Sequence, residues 1–458
     1  MAKSAVQFVS LVASTLINRT APPLGFPQEL QQLWAQYSPW FPAATYAPPP
    51  GGCEIVQLQR HGARYPEKHP AKAIQKSVEK LKRAKRFKDP NLAFVKRYEY
   101  TLGIDDLVPF GAAQSFDAGQ EHFVRYANLV NKEMLPFIRA SESGRVIDSA
   151  RNWSAGFAYA SKQRYVPEIS VIIPQSTNDT LDDKMCPQVG TSSHATKAWV
   201  NVFVPAITDR IKSAAPGAKL KKTDIVNLMS LCPFDTIAHE APSPWCDLFT
   251  LEEWASYEYY GDLTDYYGNG YGQKLGRVQG VGYVNELLAR LTGQPVQDET
   301  QTNHTLDDSP ITFPLDRSFY ADFSHDNQMI SIYSALGLFL QPHDLDPTQP
   351  DKGRTWKDSQ MVPFSGRMIT EKLACDSSGI RQPGAYVRVL VNDAVQPLTF
   401  CTAHEDGLCA LANFVESQSY ARNNGEGDLA LCFAKGKNRH EEMVPSVSSA
   451  WVALGWPK

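Results

Sequence analysis

Residues Arg60-His61-Gly62-Ala63-Arg64-Tyr65-Pro66 set one imidazole between two guanidinium groups. The planar fork of arginine matches a phosphate group with paired, charge-assisted hydrogen bonds. Flanking cations disfavour protonation of His61, so a nucleophilic ring nitrogen stays free even in mildly acidic solution. Attack by that nitrogen on phosphorus forms a covalent intermediate and divides one hard step into two easier ones. The transferring group spreads charge over three oxygens, and arginines can bear it without a metal. Gly62 has no side chain, so a substrate or another backbone can approach closely. A match to R-H-G-x-R-x-P arises by chance in about one chain in ten thousand of this length, which argues against a surface-loop coincidence.

A second group, Ser324-His325-Asp326, stands far along the chain. His325 has the chemistry to contact a phosphate. Asp326 can protonate a leaving oxygen and then activate water. Its need to carry a proton in the first step predicts an acidic optimum. Lys68, two residues past Pro66, is placed to reach a second phosphate. It also opens a basic stripe through Lys72, Lys76 and Lys80, whose bland reading is a solvated helix face.

Both groups need elements to hold them. Ile55-Val56-Gln57-Leu58 reads as a buried strand ending at Gln59, directly before the first motif. Residues 318–323 (SFYADF) read as a strand directly before the second, with a helix over Asn327 to Phe339 after it. Ligands of open α/β sheets sit at such carboxyl ends, and a helix N-terminus there adds positive potential. Ile74, Val78 and Leu81 predict an amphipathic helix after Pro66. Further strands are expected at 145–150 (RVIDSA), 168–174 (EISVIIP) and 385–392 (AYVRVLVN), and a helix at Val284 to Leu291.

The expected fold class is α/β, a core domain with a mixed central sheet flanked by helices, plus a smaller, mostly helical domain. The N-terminal arm and proline-rich linker occupy 1–47. The core takes 48–185 together with 310–458, with 67–135 contributing helices to the cap. The helical cap takes 186–309.

Net charge is −4, so no global basic field attracts nucleic acid. No apolar run reaches the ~18 residues of a spanning helix. Residues 1–17 read either as a secretory leader or as a retained amphipathic arm, and the arm predicts a homo-oligomer. Eight cysteines lack zinc-site spacing. With N-x-S/T sequons at Asn18, Asn152, Asn178 and Asn303, they point to an oxidising, secreted or cell-wall setting. Cys232 with Cys246 and Cys401 with Cys409 are natural local loops. No Walker A, H-E-x-x-H or G-x-S-x-G motif occurs, and no metal or cofactor is called for.

RHGARYP with the distant SHD resembles the histidine acid phosphatase family. The resemblance runs from about Cys53 to Cys432, and includes DLFTLEEW at 247–254, YGNGYGQKLGRVQGVGYVNELLARLTG at 267–293 and VRVLVNDAVQPL at 387–398, which resemble the fungal and yeast phytase branch. It implies His61 as nucleophile, Asp326 as proton donor, and Arg60, Arg64 and His325 as ligands of the scissile phosphate. A further phosphate arginine is implied at Arg145, with Arg139 and Arg151 as neighbouring alternatives. It also implies the pairs Cys53–Cys375 and Cys186–Cys432. The expected substrate is a small polyanionic phosphate ester, phytate first and simple monoesters second. The rival class is a secreted binding glycoprotein, which would require neither His61 nor Asp326.

Overall fold

The computed structural model of the chain describes residues 19–49, 51–52, 54–373, 384–401 and 407–434. The residue 1–17 arm, on which the oligomer expectation rests, lies outside them, as do Asn18, Cys53 and Cys375.

The centre is an eight-stranded mixed sheet. Its strands are β1 (Glu54–Arg60), β2 (Phe137–Ser141), β3 (Ile169–Ile173), β4 (Phe319–Ser324), β5 (Arg367–Leu373), β6 (Tyr386–Val391), β7 (Ala394–Val395) and β8 (Cys409–Ala410). Their order is β3-β2-β4-β1-β5-β6-β7, with β8 beside β6. β3, β2, β4 and β1 run parallel, and β5 to β8 complete an antiparallel half.

β1 and β4 are buried along their whole length. This is why they read as nearly continuous apolar runs instead of alternating ones. The residues still divide between two faces. Val56, Leu58 and Tyr320 face one core cluster, and Ile55, Phe319, Ala321 and Phe323 face another.

The principal helices are α1 (Lys68–Lys82), α2 (Pro109–Tyr126), α3 (Gly144–Ala160), α4 (Ser193–Ala214), α5 (Lys222–His239), α6 (Leu251–Gly268), α7 (Val281–Thr292), α8 (Asp326–Leu336) and the single turn α9 (Asp358–Met361). α2 and α3 cover the second face through Trp153 and Phe157, while α7 and α8 cover the first. α1, α4 and α5 share a separate helical core with Trp34, Trp245 and Trp254. Disulfides Cys186–Cys432, Cys232–Cys246 and Cys401–Cys409 are formed. No described helix is long and apolar enough to cross a membrane.

Three expectations change. Residues 145–150 are not a strand: they open helix α3. The six-residue window hides a stripe continuing through Val146, Ala150, Trp153 and Phe157, all fully buried, at spacings of three and four. The helix after the second motif starts one residue earlier, at Asp326, and ends at Leu336, where Gly337 adopts φ +86°. Strands β2 and β5 were not foreseen, because their buried faces carry arginine and glutamate partnered inside the protein.

α2 and α3 approach closely at two glycines. A Cβ on Gly119 would lie 1.9 Å from the Trp153 carbonyl, and one on Gly156 1.9 Å from that of Phe116. Gly119→Ala is therefore expected to destabilise the protein by about 1–3 kcal/mol or more through overpacking. Gly144→Ala, which meets nothing within 4 Å, should leave the thermal midpoint nearly unchanged. Thermal unfolding followed by circular dichroism compares the two.

Candidate active site

The parallel register of β1 and β4 pairs Arg60 with Ser324. Both strands thus end at one level, and the residues that follow, His61 and His325, meet with ring centroids 5.6 Å apart. The His61 N–H donates to the Ser324 carbonyl at 3.1 Å, which fixes this junction.

His61 is fully buried. Its Nδ1 lies 2.8 Å from the Gly62 carbonyl, an acceptor only, so Nδ1 carries the hydrogen. Nε2 then bears the lone pair and has no protein partner among the described residues. Burial, then the charges of Arg60, Arg64 and Arg145, hold the imidazole well below its ordinary pKa. His61 is therefore a neutral imidazole whose Nε2 lone pair is free.

The loop carrying it is clamped by close backbone contact. A Cβ on Gly62 would lie 2.2 Å from the Gly111 carbonyl, in the first turn of α2. The Gly62 N–H donates to Ser149 Oγ at 2.9 Å, and that hydroxyl donates to the Arg145 carbonyl at 2.7 Å. Ser149 was not singled out from sequence, although it lies one helical turn past Arg145.

Asp326 is the first residue of α8, and His325 caps that helix. Asp326 Oδ2 accepts from Arg60 Nη2 at 2.5 Å, and Oδ1 accepts from the Asn327 N–H at 3.1 Å. Burial opposes ionisation of Asp326, but Arg60, then Arg64 and His325, outweigh it and hold the carboxyl below its ordinary range. The Asn327 side chain, also unforeseen, donates to Asp183 at 2.9 Å.

The arginines differ in their commitments. Arg60 is fully buried. Its Nη1 donates to the carbonyls of Gln36 and Val362, and its guanidinium lies 4.6 Å from the Phe364 ring centroid. Arg64 donates to the Tyr65 carbonyl and to Glu67. Arg145 Nη2 donates to His325 Nδ1 at 3.4 Å, and its carboxylate neighbours, Glu67 and Asp105, stand off at 3.8 and 3.9 Å. With Nδ1 accepting, the His325 hydrogen lies on Nε2, which has no protein partner among the described residues. Burial, then Arg145, lower His325 to about 4.

Of the alternatives to Arg145, Arg139 is buried against Asp322 and Glu286, and Arg151 is exposed and pairs with Asp148. Lys68 is exposed at the start of α1, next to Glu67. Farther along the stripe, Lys80 is tied to Asp224 and Lys82 to the Tyr98 carbonyl. No group of three or more His, Cys, Asp or Glu among the described residues is placed to hold a metal ion. A cavity of about 790 Å³ lies at the opposite end of β1, near Glu54. Its charged walls are already paired, Arg125 with Asp393 and Lys372 with Glu54.

A neutral imidazole, an adjoining carboxyl and convergent cations form a site suited to phosphoryl transfer. Residues 54–392 match the model of the histidine phosphatase superfamily (branch 2), and the chain belongs to that family. It is 42% identical over 428 residues to Phytase A of Emericella nidulans, covering 88% of this chain and 91% of that one. It is equally similar to Phytase A of Aspergillus fumigatus, covering 88% and 90%. The crystal structure of the phytase from D. castellii has a TM-score of 0.70 at 22% identity, over 86% of this chain and 85% of that one. A Bifidobacterium longum multiple inositol polyphosphate phosphatase in complex with inositol hexasulfate has a TM-score of 0.63 at 14% identity, over 85% and 98%; both likenesses concern the fold. The enzyme is a phosphoric monoester hydrolase.

Gly62→Ala must push the His61 loop away from Gly111. A displacement of ~1 Å at a reacting group costs on the order of a hundredfold, so kcat should fall by about that factor. Steady-state kinetics on the folded variant, at fixed acidic pH, checks this.

Proposed function

We propose that this enzyme hydrolyses phytate, myo-inositol hexakisphosphate, to lower inositol phosphates through a phosphohistidine on His61. The observation that carries the reading is the neutral, fully buried His61, with Nδ1–H fixed on the Gly62 carbonyl and Nε2 left to attack. The phytases at 42% identity support the choice of substrate.

In the first step the Nε2 lone pair forms a bond to phosphorus and the ester P–O bond breaks. The leaving oxygen takes a proton from Asp326. The ring gains positive charge, which the Gly62 carbonyl stabilises through Nδ1–H. Arg64, Arg145 and the Nε2–H of His325 take the phosphate oxygens. Arg60 acts on the same group by its charge, and directly on Asp326. In the second step Asp326, now a carboxylate, takes a proton from water. The resulting oxygen attacks phosphorus, the N–P bond breaks and phosphate leaves.

Asp326 is ionised while Arg60, Arg64 and His325 dominate the field around it. A phosphate dianion beside Arg64, Arg145 and His325 reverses that field and restores the proton. Activity therefore belongs to acidic solution, where His61 remains neutral. Lys68 receives a second phosphate of the same substrate. The Cys186–Cys432, Cys232–Cys246 and Cys401–Cys409 bridges favour an oxidising setting, and we place the enzyme outside the cell, secreted or cell-wall associated. Asn152, Asn178 and Asn303 are its candidate glycan sites. A broad phosphomonoesterase is the second reading, favoured by the structural ties of Lys80 and Lys82, which remove them from a polyphosphate rim.

His61→Ala should lower kcat by at least about a thousandfold and abolish labelling of the protein by a phosphorus-labelled substrate. Asp326→Asn should cost about 10²–10⁴ in kcat on phytate, and far less on an aryl phosphate whose leaving phenol needs no proton. Equal losses on both substrates would remove Asp326 as donor. Equal kcat/KM of the wild-type enzyme for phytate and the aryl phosphate would defeat phytase in favour of the second reading.

A further inference from the structure

Arg60 holds Asp326, and two segments hold Arg60: the carbonyl of Gln36, in the 3-10 turn Ala35–Tyr37, and that of Val362, directly after α9. Both segments are fastened to one face of α6. Glu258 accepts the Ala35 N–H at 2.6 Å, the Ser359 N–H at 3.1 Å and the Ser359 hydroxyl at 2.6 Å. Asp262, one helical turn on, accepts the Asp358 N–H at 2.9 Å. Asp358 also faces Asp265, at the next turn of α6, and neither of its carboxyl oxygens has a hydrogen-bond partner among the described residues. A buried carboxyl without a donor or a cation holds its proton, because the charged form loses its solvation uncompensated.

All four carboxyls are at least nine-tenths buried. Arg354 bonds Asp262, and Lys357 adds only its charge at that end. Arg60 and Asp326 lie at the Asp265 end, where Arg60 attracts and Asp326 repels. Glu258, Asp262, Asp265 and Asp358 therefore confront one another with Arg354 as their one direct ion-pair partner among the described residues. No metal-binding grouping occurs there among the described residues. One guanidinium leaves an excess of buried negative charge, and carboxyls so placed take up protons.

We propose that Glu258, Asp262, Asp265 and Asp358 form a protonated clamp that positions Asp326 through Arg60, and that loss of its protons sets the alkaline limit of activity. The proposal rests on Asp326 as proton donor. Burial, then the neighbouring carboxylates, raise Glu258 to about 8 and Asp265 to about 7, and burial raises Asp262 to about 6 despite Arg354. Asp358 is raised well above its ordinary value by burial and by Asp265, Asp262 and Glu258. The folded chain thus holds protons that the unfolded chain releases above its ordinary carboxyl range of about 4. Stability from these groups is fully present below that range and is lost as pH rises through their folded values. Repulsion along α6 then loosens the turn at Ala35 and the segment 358–362, and Asp326 with them.

Asp358→Asn removes one ionisable group and offers Asp265 a permanent N–H donor. The expected result is an alkaline limb of kcat displaced upward by about one pH unit, with KM little changed. The ratio of kcat on phytate near pH 7.5 to that near pH 5 then rises about tenfold. The fall of thermal midpoint between these pH values should shrink in parallel. An unmoved limb in the folded variant overturns the proposal. Should Asp358→Asn not fold, Asp265→Asn, which removes the second charge of the pair, carries the same expectation and the same refutation. Should neither fold, infrared difference spectra of the wild-type protein and Glu258→Gln near pH 6 decide: loss of part of the protonated-carboxyl band in the variant supports the clamp, and an unchanged band overturns it. Failure of the donor assignment reads out separately, as equal losses in Asp326→Asn on phytate and on the aryl phosphate, wherever the limb lies.

Discussion

Arg60 and Asp326 meet at 2.5 Å where two parallel strands end. Arg60 is the last residue of β1, and Asp326 the first of the helix that follows β4. Breaking a buried pair by removing one partner typically costs about 3–5 kcal/mol, because the remaining charge is left without compensation. The pair therefore constrains the end of β1, the start of α8 and the segments at Gln36 and Val362 together. His61 and His325, each next in sequence to one member, inherit their separation from it. The distance between His61 and Asp326 follows from strand register rather than from a flexible loop.

The same pair solves an electrostatic problem. Arg60, Arg64 and Arg145 converge on a nearly dry site, with Glu67 and Asp105 only at its edge. Such a field is suited to a dianion and hostile to any further cation. His61 consequently remains neutral, and the same field holds the Asp326 carboxyl below its ordinary range. In the proposed mechanism, substrate charge is what arms the acid. A neutral ester at the same place would leave Asp326 without its proton, so selectivity for phosphate and acid catalysis share one physical cause.

The site was more legible in the sequence than the scaffold around it. His61, Arg64, His325 and Asp326 lie directly after apolar runs that could only be buried strands, and chain order alone put them at carboxyl ends. Arg145 was reached through resemblance, while its surroundings were misread: RVIDSA looks like a strand until Trp153 and Phe157 extend the stripe to helical period. β2 and β5 escaped notice because Arg139, Arg367 and Glu371 are polar in sequence and become core residues only once Glu286, Glu121 and Arg388 partner them. Ser149, Phe364 and the carbonyls of Gln36 and Val362 act through contacts across long stretches of chain, which no local pattern encodes. Cys186 and Cys432 are a further case: 246 residues separate them, and spacing alone offered no reason to join them.

The carboxyls of α6 show what such distant contacts allow. Glu258, Asp262 and Asp265 follow one another at spacings of four and three, which places them on one face of α6. In the fold that face is buried, against Ala35 and Asp358. Apolar residues there would pack without any protonation requirement, and they would leave the Ala35, Asp358 and Ser359 N–H groups without acceptors, at about 1–3 kcal/mol each. Carboxyls supply those acceptors, and in acidic solution their proton requirement is met. Under the proposed mechanism, a scaffold that is soundest when protonated and a donor that works only when protonated impose the same condition on the solution. The link between them is Arg60, bonded on one side to the carbonyls that the carboxyl face secures and on the other to Asp326.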